Sequence, residues 1–528
     1  MKKNLIRLSI VAALTTSSFA SDINKEMLNQ IQALKAQIEA LEKKVAEQEV
    51  KQQTQTSAVT TVDEKRIEKI EKKLDTVSNT ATAAKIQSGN DNLKWDVDFR
   101  TQVDNIQYKH ADGSKSENNA LLTNRLWLGM AYKADDNSSF HGKLSYNKAF
   151  GDTANHSQSN TNPGYANFDW VTNENATDNT IKLKEAYWLY TQEKLFGSDI
   201  PWAASVGRRP STDGLPINIR NDQQANSPLS HVVDVEFDGF SIKFDTDTLT
   251  GLTGSWLKIC GGRGLTNAVP RFDMFKPAYS TDDDKNVNVD MLGFIAVPYD
   301  DGQYSIHFNY AHAWNLIGFD GQSLNNFNTA YYNYSTSPSA TTAYNLQMAT
   351  PAFKDVGDID FATILFKTEG IGNGISDYLD NTIAFASFAT SKTDPNSLGM
   401  LGSTDSENGY SVWLGVNAPC PLTPDIAKIG FEWNKGSKYW RSMTYGEDTY
   451  AGSKIATRGQ AWEVYRNQQL TKSLTWGVSY VFMDYDYTGS NSFFGADGTP
   501  MTMSQAQAAG QNPVAEAQDV RTYIRYKF

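Results

Sequence analysis

Residues 92–103 read NLKWDVDFRTQV. Leu93, Trp95, Val97 and Phe99 alternate with Lys94, Asp96, Asp98 and Arg100, and Thr101 and Val103 carry the odd-numbered face past Gln102. Period-two alternation marks a strand, because successive side chains leave it on opposite faces. Here one face is oily and the other ionic. A soluble sandwich packs its apolar face on a core and has little use for so many charges behind it. A barrel in lipid turns its apolar face to hydrocarbon and its charges to a watery interior.

The same alternation recurs along the chain. Tyr304, Ile306, Phe308 and Tyr310 oppose Ser305, His307 and Asn309; Leu474, Trp476, Val478 and Tyr480 oppose Thr475, Gly477 and Ser479. In 180–191, Ile181, Leu183, Tyr187 and Leu189 form the apolar side against Lys182 and Lys184; in 231–244, Val233, Val235 and Phe237 oppose Asp234 and Glu236. Sixteen strands are predicted, near 93–103, 121–133, 139–150, 180–191, 201–210, 231–244, 249–260 and 286–299, then 303–314, 357–369, 378–391, 409–418, 425–435, 458–468, 473–487 and 515–528. The connections alternate between long polar loops, the first at 104–120, and short turns. The fold class expected is therefore all-β, a transmembrane antiparallel barrel of about 16 strands, which has an even strand count, long loops at one end and short turns at the other. A β-sandwich or β-helix produces no such regular alternation.

The composition agrees. Of the 528 residues, 40% are hydrophobic, an average that conceals a barrel's alternating faces. The 12 Trp, 25 Tyr and 25 Phe suit the aromatic girdles of a membrane barrel. A net charge of -12 without a basic stripe excludes nucleic acid as a partner. With Lys2, Lys3 and Arg7 before the apolar run Leu8–Leu14 and the small-x-small stretch Ser18-Phe19-Ala20, residues 1–20 read as a secretory signal peptide.

Residues 21–77 read as a periplasmic coiled-coil segment. Ile31, Ile38 and Val45 fall at heptad a, and Met27, Leu34 and Leu41 at d. A Gln/Thr-rich break precedes a second run through Ile67, Ile70, Leu74 and Val77, and 78–91 is a small, polar linker. The barrel occupies 92–528. Both barrel ends then lie on the short-turn, periplasmic side, where the stalk can reach the cell wall. β-branched a with Leu d favours dimers.

The chain closes on VRTYIRYKF, with Ile524, Tyr526 and Phe528 on one face and Arg521, Arg525 and Lys527 on the other. This terminal aromatic resembles the barrel-assembly signal of outer-membrane proteins. Together with LKEAYW (183–188), SVGRRP (205–210), EFDGFSIKF (236–244), GSKYW (436–440), ATRG (456–459), EVY (463–465) and DYDYTGS (484–490), it makes residues 92–528 resemble a Gram-negative outer-membrane porin with a coiled-coil stalk, within a porin-like family of largely uncharacterised solutes. The resemblance implies passive diffusion of small hydrophilic solutes and ions through a homotrimer seated in outer-membrane lipid.

A pore acts through its width and lining charge. The strand alternation nominates Lys94, Asp96, Asp98, Arg100, Arg125, Lys143, Lys182, Lys184, Arg209, Asp234, Glu236, Arg521 and Arg525 as wall charges. By analogy with porins, the third long loop, 211–231, folds inward as a constriction and carries Asp213, Arg220 and Asp222. Lys182/Lys184 and Arg521/Arg525 look uncompensated and lean the pore toward anions.

No enzyme is expected and no cofactor or metal is implied. The six histidines form no HExxH pattern, CGGRG at 260–264 follows no strand-to-helix unit, and G-x-S-x-G is absent. Cys260 is expected near the outer rim and Cys420 in a periplasmic turn, about 25 Å apart, too far for a bridge that needs Cα atoms within about 7 Å. Two other functions fit the same architecture. One is a structural tether between membrane and cell wall; the other is an adhesin using long loops such as 315–356, with its YYNYSTS.

Overall fold

The computed structural model describes residues 93–528 apart from 152–175, 177–179, 267, 269–274, 276–286, 320, 350–352, 372, 445–448 and 491–497. The expected signal peptide, stalk and linker lie outside the described residues.

Sixteen strands close into one antiparallel barrel in which each pairs with its sequence neighbours. They are β1 (Leu93–His110), β2 (Lys115–Lys133), β3 (Ser138–Ala149), β4 (Ile181–Gln192), β5 (Trp202–Arg209), β6 (Phe237–Asp245), β7 (Trp256–Thr266) and β8 (Asn288–Asp300). The second half comprises β9 (Tyr304–Trp314), β10 (Gly357–Glu369), β11 (Ile383–Pro395), β12 (Asn408–Pro419), β13 (Ala427–Gly436), β14 (Gly459–Gln469), β15 (Leu474–Tyr485) and β16 (Val514–Lys527). The barrel closes where β1 meets β16, in a register running from Asp98 opposite Lys527 to His110 opposite Val514. Phe528 extends that seam with a reciprocal backbone pair to Val97, both bonds 3.0 Å. Closure leaves no strand edge unpaired, the condition for a sheet to sit in hydrocarbon.

The opening stretch explains the wall. Trp95 and Phe99 are exposed on the outside, whereas Asp98, Arg100, Gln102 and Asp104 are buried on the inside. Phe140, Trp188, Phe240, Phe294, Phe308 and Tyr480 continue the exposed apolar surface around the barrel. Fully burying one such side chain is worth about 1.5–3 kcal/mol, so a belt of them in water is untenable and in lipid is satisfied. Among the described residues no helix is long and apolar enough to cross a membrane.

Four details differ from the sequence reading. Residues 104–120 do not form a long loop. β1 and β2 are 18 and 19 residues long and run on to a tight turn at 111–114. About 9–11 residues suffice to cross a bilayer, so the hairpin is longer than a crossing needs. Its outward face is polar at Asn105, Gln107 and Lys109, which made it look like a loop, while Ile106 and Tyr108 on the inward face join an apolar cluster with Val481 and Tyr485. In β4 the alternation slips by one at Lys184–Glu185, both buried. Trp188 therefore points outward opposite Val206, while Tyr187 turns inward to stack on His141 with 5.1 Å between ring centroids.

The other two concern the strands after the third long loop. β6 begins only at Phe237, so Asp234 and Glu236 are not on the barrel wall. Val233–Asp234 forms a separate two-stranded parallel pairing with Met443–Thr444. Val233 and Val235 are buried inside the barrel rather than turned to lipid. β7 begins at Trp256, after a helical turn over Asp247–Thr250. Cys260 thus lies at mid-strand, opposite Ser241 and Gly293, not at the rim. Cys260 and Cys420 are both free thiols.

Candidate functional site

The interior of the barrel is filled unevenly. The connection 210–236 leaves β5, enters the barrel and crosses it. Its apolar residues choose the path: Ile217 packs with Phe385, Trp413 and Ile455, and Leu215 and Leu229 pack with Leu365. Those partners lie chiefly on β10, β11 and β12, across the barrel from where the loop starts. On its return the loop is pinned by His231, whose Nδ1 lies 2.7 Å from Ser387 Oγ and whose Nε2 lies 2.9 Å from Ser411 Oγ. Trp413 and Trp440 meet the His231 ring edge-on at 5.6 and 5.7 Å. A buried imidazole bonded at both nitrogens is fully satisfied and fixes the loop like a peg.

The loop's tip reaches the far wall. Arg220 Nη1 lies 2.5 Å from Glu463 Oε2 on β14, and Asn467 Nδ2 donates to the Arg220 carbonyl at 3.0 Å. On β16, Arg525 Nη1 donates to the Asn221 carbonyl at 2.5 Å and Lys527 Nζ to the Asp222 carbonyl at 3.0 Å. Asp222 itself is exposed at the tip. Asp213 is buried near the loop's start. Its N–H donates to Asp234 Oδ1 at 2.9 Å, and its carboxylate accepts from Asn221 Nδ2 at 3.0 Å. Asp213 and Asp234 therefore hold the loop's own shape.

The connection between β13 and β14 also turns inward at Trp440–Thr444 and Lys454–Arg458, and sequence reasoning missed it. Lys454 Nζ bridges Glu432 and Glu463, the latter at 2.6 Å. Arg458 Nε donates to the Trp440 carbonyl at 2.8 Å, and Trp440 Nε1 to the Ile455 carbonyl at 2.8 Å. Arg441 Nη2 reaches the Ile317 carbonyl at 3.1 Å. Trp440 and Met443 join Val232, Val233, Leu316, Ile317 and Met400 in an apolar core inside the barrel. The one available signal was an odd one for an external loop: a Trp beside an Arg in YWRSMT at 439–444.

The wall charges fall into three groups. Along the closing seam, Arg525 pairs with Asp98, with Nε 2.8 Å from Oδ1; Arg125 Nη2 is 3.3 Å from the same carboxylate; Arg521 Nε is 2.5 Å from Asp104. Arg100 stands over the Tyr523 ring at 5.7 Å. A second group surrounds Trp127, whose ring has Arg125 at 3.7 Å, Lys184 at 5.0 Å and Lys143 at 5.6 Å, a cation–π arrangement. Lys143 pairs with Glu185, and Lys184 with Glu236 at 2.9 Å; Glu236 also takes Arg208. The apparent local surplus at Lys184 and at Arg521/Arg525 is therefore corrected: each has a carboxylate partner that is distant in sequence and adjacent in space. Lys182 Nζ bonds Thr180 Oγ1 at 2.8 Å. Lys94 and Asp96 lie at the exposed end of β1. Arg209 forms the third group, 6.0 Å from the Tyr187 ring.

Between the loop tip and the seam lies a polar passage, a cleft open to solvent with about 650 Å³ of empty space counted to its open mouth. Arg100, Arg125, Arg220, Lys454, Arg521 and Arg525 line it, against the carboxylates of Glu463 and Asp519. Asp98 and Asp104 stand outside this lining and neutralise the arginines from the side. Gly129 on β2 leaves room for the Asp96 carboxylate of β1, since a Cβ there would meet Asp96 Oδ2 at 2.0 Å. Among the described residues no group of three or more His, Cys, Asp or Glu could hold a metal ion.

A family model described as "Protein of unknown function (DUF3373)" matches residues 115–528. No curated protein matches the chain. Among solved structures, OprB of Pseudomonas putida is similar at 12% identity and a TM-score of 0.45, with 84% of this chain and 96% of that one covered. The anion-selective porin of Comamonas acidovorans is similar at 11% identity and 0.42, covering 82% and 100%. OmpF of Salmonella typhi, in complex with daunomycin, is similar at 9% identity and 0.41, covering 83% and 99%. Identities and TM-scores this low say nothing about solute.

Proposed function

The chain belongs to the family of unknown function DUF3373, and we propose that it is an outer-membrane porin, a water-filled channel for passive diffusion of small hydrophilic solutes with a preference for anions. The observation that carries the channel reading is the closed barrel with its apolar exterior and charged interior. The lean toward anions rests on the loop tip, where six cations line the space with two carboxylates and a small positive surplus is left after their pairing with Asp98, Asp104 and Glu432. A surplus of fixed charge of one sign at a narrow point raises the local concentration of the opposite ion and admits it preferentially. The inward loop sets the width. The closed wall with its apolar exterior supplies the insulation, since ions crossing elsewhere meet hydrocarbon.

The rest of the proposal follows from the sequence. Residues 1–20 direct export, 21–77 form a periplasmic stalk in reach of the cell wall, and the barrel assembles as a homotrimer in the outer membrane of a Gram-negative cell. Ile524, Tyr526 and Phe528, all exposed on the outer face, serve as the assembly signal. In planar bilayers with a potassium chloride gradient, the purified protein should insert in conductance steps, grouped in threes, and its reversal potential should carry the sign of chloride preference. A folded barrel that stays silent at every voltage would sink the channel reading and favour the tether.

A further inference from the structure

A second cavity, of about 520 Å³, lies between the loop 210–236 and the wall of β6–β9, on the opposite side of the loop from the cationic passage. Its lining is mostly apolar, with Pro228 and Val233 from the loop and Phe237 and Met291 from the wall. The wall here is nearly stripped of side chains, because Gly239, Gly262 and Gly293 take inward positions next to Ala311. Their replacement is blocked by the neighbouring backbone: a Cβ on Gly239 would meet the Gly261 carbonyl at 2.0 Å, and one on Gly293 the Tyr310 carbonyl at 2.3 Å. The result is a recess with a flat floor.

Two polar groups interrupt this apolar lining. Asn309 is 3% exposed, and its Nδ2 makes no hydrogen bond. Arg209 also lines the cavity, and its buried Nε makes none. An unpaired buried donor is destabilising, so two of them on one recess are a standing demand for an acceptor. No carboxylate lines the cavity. Another cation, Lys258, donates to Ser227 Oγ at 2.6 Å, and Ser227 is part of the lining. An acceptor bearing negative charge suits this field, and the remaining surface suits hydrocarbon.

We propose that this recess binds a small carboxylate with an apolar body: the carboxylate accepts from Arg209 and Asn309, and the body lies on the glycine floor against Phe237 and Val233. The proposal deepens the channel reading by giving the interior a second, amphipathic station, but it is tested without flux. Cys260 lines the recess and supplies a native reporter. The detergent-solubilised barrel is alkylated with iodoacetamide, and modification of Cys260 is timed by peptide mass spectrometry with benzoate, benzyl alcohol or acetate present.

Benzoate should slow the reaction severalfold, while benzyl alcohol, lacking the charge, and acetate, lacking the body, should do so little. Asn309→Leu and Arg209→Gln should each remove the protection, and Ala311→Leu should remove it by filling the space. Retention of the heat-modifiable gel shift identifies the variants that are folded. The proposal is overturned if Cys260 resists alkylation with no probe present, if benzoate gives no protection, if benzyl alcohol protects equally, or if folded Asn309→Leu and Arg209→Gln are protected like the parent. A silent bilayer with protected Cys260 removes the channel and leaves this site standing. A conducting channel with unprotected Cys260 removes the site alone.

Discussion

The two inward connections make opposite uses of the same space. The loop 210–236 is held at three places by different physics: apolar packing at Leu215, Ile217 and Leu229, the His231 peg, and polar contacts from its tip to β14 and β16. The connection between β13 and β14 sends one amine, Lys454, between two buried glutamates and braces the first loop from behind through Trp440. One segment narrows the passage, and the other fixes how far. Removing the brace should cost stability, whereas removing the tip should cost selectivity.

The largest expected effect is on the brace. Lys454→Met leaves Glu432 without its nearest cation, with Arg220 3.6 Å away, and leaves Glu463 with Arg220 alone. Breaking one side of a buried ion pair destabilises by about 3–5 kcal/mol. Urea unfolding followed by the heat-modifiable gel shift should show a clearly lowered midpoint. An unchanged midpoint would mean the second loop is an ornament, and the contrast between the loops would fail. Next comes the tip. Excising 218–223 removes Arg220 and the carbonyl of Asn221 that Arg525 holds, while Ile217 and His231 keep the rest of the loop in place. Single-channel conductance should rise severalfold, and the unfolding midpoint should fall less than in Lys454→Met, because Glu463 keeps Lys454.

A smaller effect, on selectivity alone, is expected from Arg100→Gln on β1. It removes one of the six cations that line the passage and leaves the Arg525–Asp98 and Arg521–Asp104 pairs in place. In a water-filled passage one unit charge at about 4 Å is worth on the order of 1 kcal/mol to a passing ion, so the chloride-to-potassium permeability ratio should fall a few-fold, read from the reversal potential. A ratio that stays constant would move the selectivity filter away from the loop tip.

The wall was legible in the sequence and the contents of the barrel were not, for one reason. A wall strand has two solvents, lipid and water, and writes both into its alternation: Trp95, Val97 and Phe99 against Asp98 and Arg100. A connection folded into the interior has the protein as its solvent and obeys no period. Val233 and Val235 alternate with Asp234 and Glu236 as a wall strand does, yet they pack on Trp440 and Met443 in the interior core, so the start of β6 was read too early. Pairing across the chain was equally invisible. Lys184 looks solitary until the loop brings Glu236 to it from 52 residues away, and Asp98 meets Arg525 from 427 residues away. The third long loop was placed inside by analogy with porins, since its own residues, a mixture of Asp, Arg, Asn and Pro, read equally well as surface.

The smallest effect tests the part of the wall that was mistaken for a loop. Beyond the apolar belt, the extended β1–β2 hairpin is joined to β16 by Lys109 and Glu516, whose side chains are 2.5 Å apart and 47% and 31% exposed. Exposed pairs of this kind contribute about 0.2–1 kcal/mol, because both ions keep most of their water and ordering two long side chains costs entropy. A double-mutant cycle with Lys109→Ala and Glu516→Ala should return a coupling within that range, weakening further in high salt as the charges are screened. Conductance should be untouched, since the hairpin stands outside the passage. A coupling as large as that of Lys454 would mean the protruding hairpin is not water-bathed, and would call for something covering it, such as a neighbouring copy of the barrel.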